Sequence, residues 1–350
     1  YSAPAADLRP VRELMRQNQP IQARELLRSL LAQSPDDVWL AYDSGVAAYA
    51  AKEYAQADQI WQELAARQLP PKLRDQVWLQ LGNAAFRLGE QTEAGAADLA
   101  LPQYEQSREA YRVALVTRRR DKTLLHNLQV VELKLARLHA QLARRLLNEA
   151  QKTPSLPAAM EKLQAALDHQ RQAQDLDPQN EQYRQDTQNI ERQLAEKFVQ
   201  KAAQTEKQTD NILKNPTPSA WEINHGIETL KTALADFQEA HALDPQNTPA
   251  EQGEKRVEEK LANLFDKAGR RAQRDARDHA NWNPDAAVEK YEQALENFAE
   301  ALALAPEHQD AQAGEREVKK ELEQLHIEQG DKLADEGRRE LKHQPESAAD

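Results

Sequence analysis

The residues of this chain that could do acid–base or metal chemistry are nine histidines and fifty-eight carboxylates, and their spacing does not assemble a site. No two histidines stand four residues apart, as the zinc-binding pattern HExxH requires. The ten glycines form neither GxGxxG nor GxxxxGK[ST], and no GxSxG marks a nucleophile. Cysteine is absent, which excludes disulfides, thiolate metal sites and cysteine nucleophiles. The sequence therefore predicts no catalytic residue, no metal ligand and no cofactor, and the chain is not expected to be an enzyme.

The composition predicts α-helix along nearly the whole chain. Alanine, glutamate, glutamine, leucine, lysine and arginine dominate, whereas glycine (10) and aromatic residues (5%) are scarce, and this mixture favours helix. The formal net charge is −12, with basic residues interspersed among acidic ones, which argues against a nucleic-acid partner. No uninterrupted apolar run is long enough to cross a bilayer, so no membrane span is predicted within residues 1–350.

One helical pattern recurs along the chain and is clearest in residues 286–308. There, Ala294, Phe298, Ala301 and Leu304 fall on one stripe of an amphipathic helix that Pro306 ends. The pattern occurs twice upstream, at Ala233, Phe237, Ala240, Leu243 and Pro245, and at Ala166, Gln170, Ala173, Leu176 and Pro178. Three copies of one spacing predict a protein built from helical repeats.

Two N-terminal segments resemble tetratricopeptide (TPR) repeats. Ala23 and Ala57 hold equivalent positions 34 residues apart, which is the TPR period. Residues 77–89 resemble the first helix of a TPR, because Trp78, Leu81 and the small Gly82 have the spacing of the family. Gly89 is predicted to end this helix. The resemblance implies an all-α, TPR-like right-handed helical solenoid, with repeats of near-regular length over residues 1–120.

The repeats after residue 120 are longer. Equivalent second-helix positions, separated by 34, 50, 59, 67 and 61 residues, are Ala23, Ala57, Ser107, Ala166, Ala233 and Ala294. In the last four units a small residue follows the proline position by 24 residues, at Ala143, Ala202, Gly269 and Gly330. This is about fourteen residues later than in an ordinary TPR. Fourteen residues are two heptads, so the apolar side chains before and after the added segment stay on the same face of the helix and form one apolar seam. We therefore predict elongated hairpins over residues 121–343, with first helices of about thirty residues. A free-standing coiled coil is the alternative, and the prolines between the helices argue against it.

Two histidines share one position of this longer repeat. His139 and His326 lie where Phe198 and Phe265 stand in the other units. Because phenylalanine at this position packs between helices, we predict that both histidines are packed helix residues and not metal ligands.

Two segments interrupt the pattern. Residues 90–100 exceed the few turn residues that a TPR hairpin needs, so we predict a loop there, with a lid or a partner contact as the alternative. Residues 344–350 resemble the segment around Pro284 that starts a second helix. They are expected to begin a further, truncated repeat, and the native protein is expected to continue beyond Asp350.

The first helices of a TPR-like array line a concave groove that binds a peptide or a partner helix. The positions predicted to face this groove are Tyr42, Tyr49, Asn83, Phe86, Arg87, His126 and Asn127. Tyrosine and arginine are frequent in binding hot spots, and an asparagine directly after the small residue resembles the one with which peptide-clamping TPRs hold a peptide backbone. The lysine and arginine partners of the full carboxylate clamp are not recognisable, which argues against a C-terminal carboxylate as the ligand. Packing of Tyr42 and Tyr49 between repeats is the alternative.

Residues 77–135 also resemble the TPR proteins of bacterial aerotolerance (Bat-type) operons, through LGNAAFRLG at 81–89 and NLQVV at 127–131. That family implies an envelope protein facing the periplasm, which works beside von Willebrand factor A-domain proteins and a MoxR-type ATPase. The predicted function is a non-catalytic scaffold or adaptor that binds proteins or peptides in a bacterial cell-envelope complex. A cytoplasmic location is the alternative.

Two other functions stay open. One is an assembly chaperone for a periplasmic enzyme or membrane complex. The other is a self-assembling rod, which would be favoured by an exposed apolar seam at Ile190, Leu194 and Phe198, whereas a deep groove around Asn83 and Phe86 would favour the adaptor.

Overall fold

The computed structural model describes residues 7–94 and 97–343. Within these ranges the chain is all-α. Its fourteen helices are α1 (Arg9–Arg16), α2 (Pro20–Gln33), α3 (Val38–Ala50), α4 (Tyr54–Ala65), α5 (Pro71–Glu93), α6 (Ala97–Thr117), α7 (Lys122–Gln151), α8 (Leu156–Leu176), α9 (Glu181–Lys207), α10 (Asp210–Lys214), α11 (Ala220–Leu243), α12 (Thr248–His279), α13 (Pro284–Leu304) and α14 (Gln309–His343). Among the described helices, none combines the length and the apolar character needed to cross a membrane.

The chain forms two compact units. The first contains residues 1–154 and 161–190, and the second contains residues 155–160 and 191–350. In each unit, consecutive helices pack side by side as TPR-like hairpins of a helical solenoid, for example α5 on α6 and α12 on α13. The predicted boundary at residue 120, between repeats of near-regular length and elongated hairpins, stays a prediction. The truncated repeat predicted at residues 344–350 lies outside the described residues.

Capping side chains start several helices where the sequence places them. Asp37 accepts hydrogen bonds from the backbone N–H groups of Trp39 and Leu40 at the start of α3, as expected of a carboxylate directly before an apolar helix. Asp121 does the same for α7. Ser219 and Glu222 form a reciprocal capping box at the start of α11. These caps satisfy backbone donors that would otherwise be unpaired, and so they fix where each hairpin turns.

The repeat positions counted in the sequence lie in the core. The six second-helix positions from Ala23 to Ala294 are fully buried, as are Ala143 and Ala202 at the small-residue position of the longer repeats. The long first helices α7, α9, α12 and α14 contain 30, 27, 32 and 35 residues, which confirms the predicted elongation.

The two histidines that share one repeat position differ in burial. His139 is buried as predicted, whereas His326 is exposed. The prediction for His326 was wrong because the described residues place no further second helix over that part of α14.

The predicted loop at residues 90–100 is largely helical. Helix α5 continues through Gly89 to Glu93, and α6 already begins at Ala97, so Gly89 does not end its helix. The ring of Tyr104 explains the glycine, because a β-carbon at Gly89 would lie 2.9 Å from that ring. Ala100 and Tyr104 are buried, and Pro102 is tolerated inside α6 on an exposed face. The extra residues therefore lengthen both helices of the hairpin, α5 and α6, and the added helical turns extend the buried surface between them.

One buried carboxylate in the first unit gives a stability prediction. Asp58 on α4 is 7% exposed, and its oxygens accept hydrogen bonds from Gln62 Nε2 at 2.7 Å and Gln106 Nε2 at 2.8 Å. Burial nevertheless raises the pKa of Asp58 from 3.8 to about 6. Because the folded state holds this proton more tightly than the unfolded state, the unfolding free energy falls as pH rises from 3.8 and levels off above about 6.

Asp58→Asn is therefore expected to raise the unfolding free energy by about 1–2 kcal/mol at neutral pH, and by much less near pH 4. Urea unfolding followed by circular dichroism at both pH values measures this difference. The exposed Asp36→Asn serves as the control and should change neither value. An equal gain for Asp58→Asn at both pH values would contradict the assignment.

Candidate partner-binding groove

Three successive first helices of the first unit, α3, α5 and α7, line one pocket. Its volume is about 270 Å³, and we call it the groove pocket; its lining residues are Tyr49, Asn83, Phe86, Arg87, Tyr111, His126, Asn127 and Val130. Six of the seven residues predicted to face a groove thus lie together. The seventh, Tyr42, does not line the pocket, and its ring packs near Trp61 with 6.3 Å between ring centroids. That these residues bind a partner stays a prediction.

Asn83 is the polar centre of the groove pocket. Its Oδ1 accepts a hydrogen bond from the Tyr111 hydroxyl at 2.7 Å, and Asn127 Nδ2 lies 3.5 Å from the same oxygen. Asn83 Nδ2 donates to Gln80 Oε1 at 3.1 Å. Burial raises the pKa of Tyr111 to about 12, so this hydroxyl stays protonated and remains a donor at neutral pH. The amide of Asn83 is therefore held in one orientation by side chains of the chain itself.

Gly82 makes this arrangement possible. A β-carbon at Gly82 would lie 2.5 Å from the ring of Tyr111, so only glycine lets α6 come close enough for the tyrosine to reach Asn83. The Ser107 hydroxyl on α6 donates to the Gly82 carbonyl oxygen at 2.8 Å and holds the two helices at this separation. The Gly-Asn pair of the sequence therefore has two roles, close helix packing and presentation of the amide.

The charged rim of the groove pocket is formed by Arg87. Its Nη1 lies 2.7 Å from Glu90 Oε2, and hydrogen bonds to the Glu90 carboxylate and to the Tyr49 hydroxyl raise the pKa of its guanidinium. The Tyr49 ring is supported by Tyr54 and Trp61, at 5.2 and 6.1 Å between ring centroids. Arg87 is exposed at this position and carries a permanent positive charge next to the aromatic wall.

A second depression continues from the groove pocket along α7. It has a volume of about 320 Å³ and shares Phe86 and Val130 with the groove pocket; its other lining residues are Glu90, Leu133, Lys134 and Arg137. Lys134 Nζ lies 2.8 Å from Glu93 Oε2, which also accepts a hydrogen bond from the Tyr104 hydroxyl at 2.7 Å. Glu90 and Glu93 belong to the added part of α5; Glu90 lines this adjoining pocket, and Glu93 holds its lining residue Lys134.

The two pockets offer the chemistry of peptide recognition. They combine an oriented amide, aromatic and aliphatic walls, and guanidinium and ammonium groups, which are the groups that hold peptide backbones and side chains. In the part of the chain that the structure describes, no group of three or more histidine or acidic side chains could hold a metal ion. The arrangement is therefore suited to binding and provides no described metal centre.

Six lining residues were not among those predicted from the sequence, namely Glu90, Tyr111, Val130, Leu133, Lys134 and Arg137. Tyr111 lies on α6, the second helix of its hairpin, whereas the groove prediction considered only first helices. The residues on α7 were missed because the elongated helix carries its groove-facing stripe further than an ordinary TPR helix does. The fourteen-residue displacement of the small position was the sequence signal that could have extended the prediction along α7.

Comparison with known proteins gives no family assignment, since no protein-family model and no curated protein matches the chain. Solved structures with a similar arrangement are TPR proteins. The TPR2AB domain of yeast Sti1 in complex with pHSP90 is 15% identical, with a TM-score of 0.30 over 90% of this chain and 95% of that chain. The P58(IPK) TPR domain is 13% identical, with a TM-score of 0.30 over 91% and 97%. A TPR protein from Bacteroides fragilis is 14% identical, with a TM-score of 0.29 over 71% and 94%. Superpositions this loose do not transfer a ligand or a function.

Proposed function

We propose that this chain is a non-catalytic scaffold or adaptor that binds a protein or peptide partner through the groove pocket and the adjoining pocket. The observation that carries the proposal is the convergence of α3, α5 and α7 on one pocket around the oriented amide of Asn83. A polar group held in place before binding loses little entropy when a partner docks, so its hydrogen bonds contribute more fully to affinity.

The burial of the apolar seam supports the adaptor over the self-assembling rod. Ile190 and Leu194 are 2% and 1% exposed, and Phe198 packs against Ala195 and Ala240. A rod that assembles through these side chains would need them on the surface of the free chain. The pocket around Asn83 and Phe86 is open instead, which is the feature that the adaptor requires.

The cellular setting that we propose is a bacterial cell-envelope complex, with the groove facing the periplasm. This part rests on the resemblance of residues 77–135 to Bat-type TPR proteins, which also suggests von Willebrand factor A-domain proteins and a MoxR-type ATPase as neighbours. An assembly chaperone would use the same groove but would release its client. Co-purification of a stable complex from native membranes would favour the scaffold.

The groove is tested by selecting peptides from a random phage-displayed library on the immobilised full chain. Selected peptides are then titrated against Asn83→Ala with Phe86→Ala. We expect the affinity of groove-binding peptides to fall by about tenfold or more, which is about 1.4 kcal/mol, because the oriented amide and one aromatic wall are lost.

The matched control is Leu125→Ala with Gln129→Ala. Both residues are exposed on α7 and neither lines the groove pocket, so this variant should bind as the unchanged chain does. Thermal unfolding of both variants shows whether the fold is intact. The proposed function would be overturned if the selected peptides bound the groove variant with the same affinity as they bind the control variant.

A further inference from the structure

A third pocket in the first unit shares no residue with the groove pocket or the adjoining pocket. It lies between α2, α3 and α4 and has a volume of about 390 Å³. We call it the apolar pocket. Leu31 on α2, Ile60 and Leu64 on α4, and the small Ala41 on α3 form its walls. The volume and the predominance of aliphatic side chains are those of a small-molecule site, for which 300–1,000 Å³ is typical.

The space exists because small side chains stand where larger ones would fill it. Ala32 on α2 and Ala41 on α3 face the pocket, and Pro35 begins the turn between these helices. Leu64 beneath them is 1% exposed and belongs to the main core of this part of the chain. The floor is therefore a fixed surface of packed helices, and a ligand would not have to order it.

Two cations and one anion line the opening of the apolar pocket. Arg28 and Arg67 are exposed, and within the described residues neither forms an ion pair or a side-chain hydrogen bond. The single carboxylate, Glu63, accepts a hydrogen bond from Gln59 Nε2 at 3.1 Å. The opening is thus net positive on a chain whose formal net charge is −12. A guanidinium without a partner is suited to receive a carboxylate through two parallel hydrogen bonds.

We propose that the apolar pocket binds an amphiphile that consists of one hydrocarbon chain and a terminal carboxylate. The hydrocarbon chain replaces water against Leu31, Ile60 and Leu64, and the carboxylate binds at Arg28 and Arg67. The charge at the opening selects against cationic and uncharged amphiphiles of the same length, because only an anion pairs with the free guanidinium groups. This site is independent of the partner-binding groove, so it would remain if the proposed function of the groove proved wrong.

The test uses isothermal titration of the full chain with decanoate, decanol and decyltrimethylammonium, each below its aggregation concentration. We expect decanoate to bind about tenfold more tightly than either of the other two, which is about 1.4 kcal/mol. Arg28→Gln with Arg67→Gln should remove this preference for decanoate and leave only weak binding of it. The control variant, Arg16→Gln with Arg120→Gln, changes two exposed arginines outside the pocket and should keep the preference.

A second pair of measurements locates the site. Methyl NMR spectra of the labelled chain should show decanoate-dependent shifts at Leu31, Ile60 and Leu64, and none at the leucine and valine methyls of α7 that line the other two pockets. Ala32→Trp, at an exposed position of the wall, should abolish these shifts while thermal unfolding stays unchanged. Equal affinity for the anionic and cationic amphiphiles, or shifts confined to α7, would overturn the proposal.

Discussion

Phe298→Ala is expected to lower the unfolding free energy of this protein by about 3–5 kcal/mol, as is usual for a large core aromatic residue. The Phe298 ring on α13 is completely buried. It lies between two glycines of neighbouring first helices, Gly269 on α12 and Gly314 on α14, where β-carbons would approach the ring to 2.8 and 2.4 Å. Removal of the ring leaves a cavity that these rigid helices cannot close. Urea unfolding followed by circular dichroism measures the loss.

The same packing predicts a non-additive pair of substitutions. Gly269→Ala alone should cost about 1–3 kcal/mol, because its methyl group would overlap the Phe298 ring. In the Phe298→Ala background the methyl group enters the new cavity, so the cost should disappear or become a small gain. The control is Gly330→Ala at the same repeat position of α14. Nothing lies within 4 Å of that site, and alanine there should stabilise the helix by about 0.5–1 kcal/mol. Strict additivity at Gly269 and Phe298 would show that the ring does not set the helix separation.

Acidification from pH 6.5 to about pH 4 is expected to destabilise the first unit through His139. Its Nδ1 lies 2.9 Å from His169 Nδ1 across α7 and α8, and the side chain is 4% exposed. Burial, with the nearby His169 and Arg108, lowers the pKa of His139 from 6.5 to about 4. Burial also lowers the pKa of His169, against the opposing effect of Asp168. The unfolded chain binds a proton at this histidine between pH 6.5 and 4, whereas the folded chain does not. The unfolding free energy is therefore unaffected by this group above pH 6.5, and it decreases as the pH falls towards 4.

His139→Phe should remove most of this pH dependence, which amounts to about 2–3 kcal/mol at most. Phenylalanine is the residue found at the same repeat position in two other units, at Phe198 and Phe265, so the ring should fit between the helices. His326→Phe is the control, because it has the same repeat position but is exposed and should leave the pH dependence unchanged. The comparison is made between the variants at each pH, since carboxylates also titrate at the acid end. An unchanged slope in His139→Phe would contradict the assignment.

Much of the fold could be predicted from the sequence because its information is local and periodic. The spacing of Ala166, Ala233 and Ala294 placed the second helices, and the displacement of the small residue predicted the long first helices. Asp37 could be recognised as a cap because a carboxylate before an apolar helix satisfies free backbone N–H groups. Six groove residues were also predicted, since helical periodicity determines which side chains share one face.

The error at residues 89–100 has a clear physical cause. Gly89 and residues 90–100 have the composition of a helix end and a loop, and local propensity favours that interpretation. Burial of Ala100 and Tyr104 against α5 outweighs it, because tertiary packing routinely overrides propensity. The role of Tyr111 could not be predicted either, since no local pattern shows that its hydroxyl reaches Asn83 across Gly82.

The sequence by itself determined the helical class, the repeat positions, the missing catalytic motifs and most residues of the groove face. Each of these follows from residue type and spacing along one helix. Only the tertiary structure decided that Tyr111 orients Asn83, that Glu90 in the added part of α5 lines the adjoining pocket, and that Arg28 and Arg67 flank an apolar pocket. These features depend on distances between side chains on different helices, and periodicity within one helix does not specify how closely two helices approach.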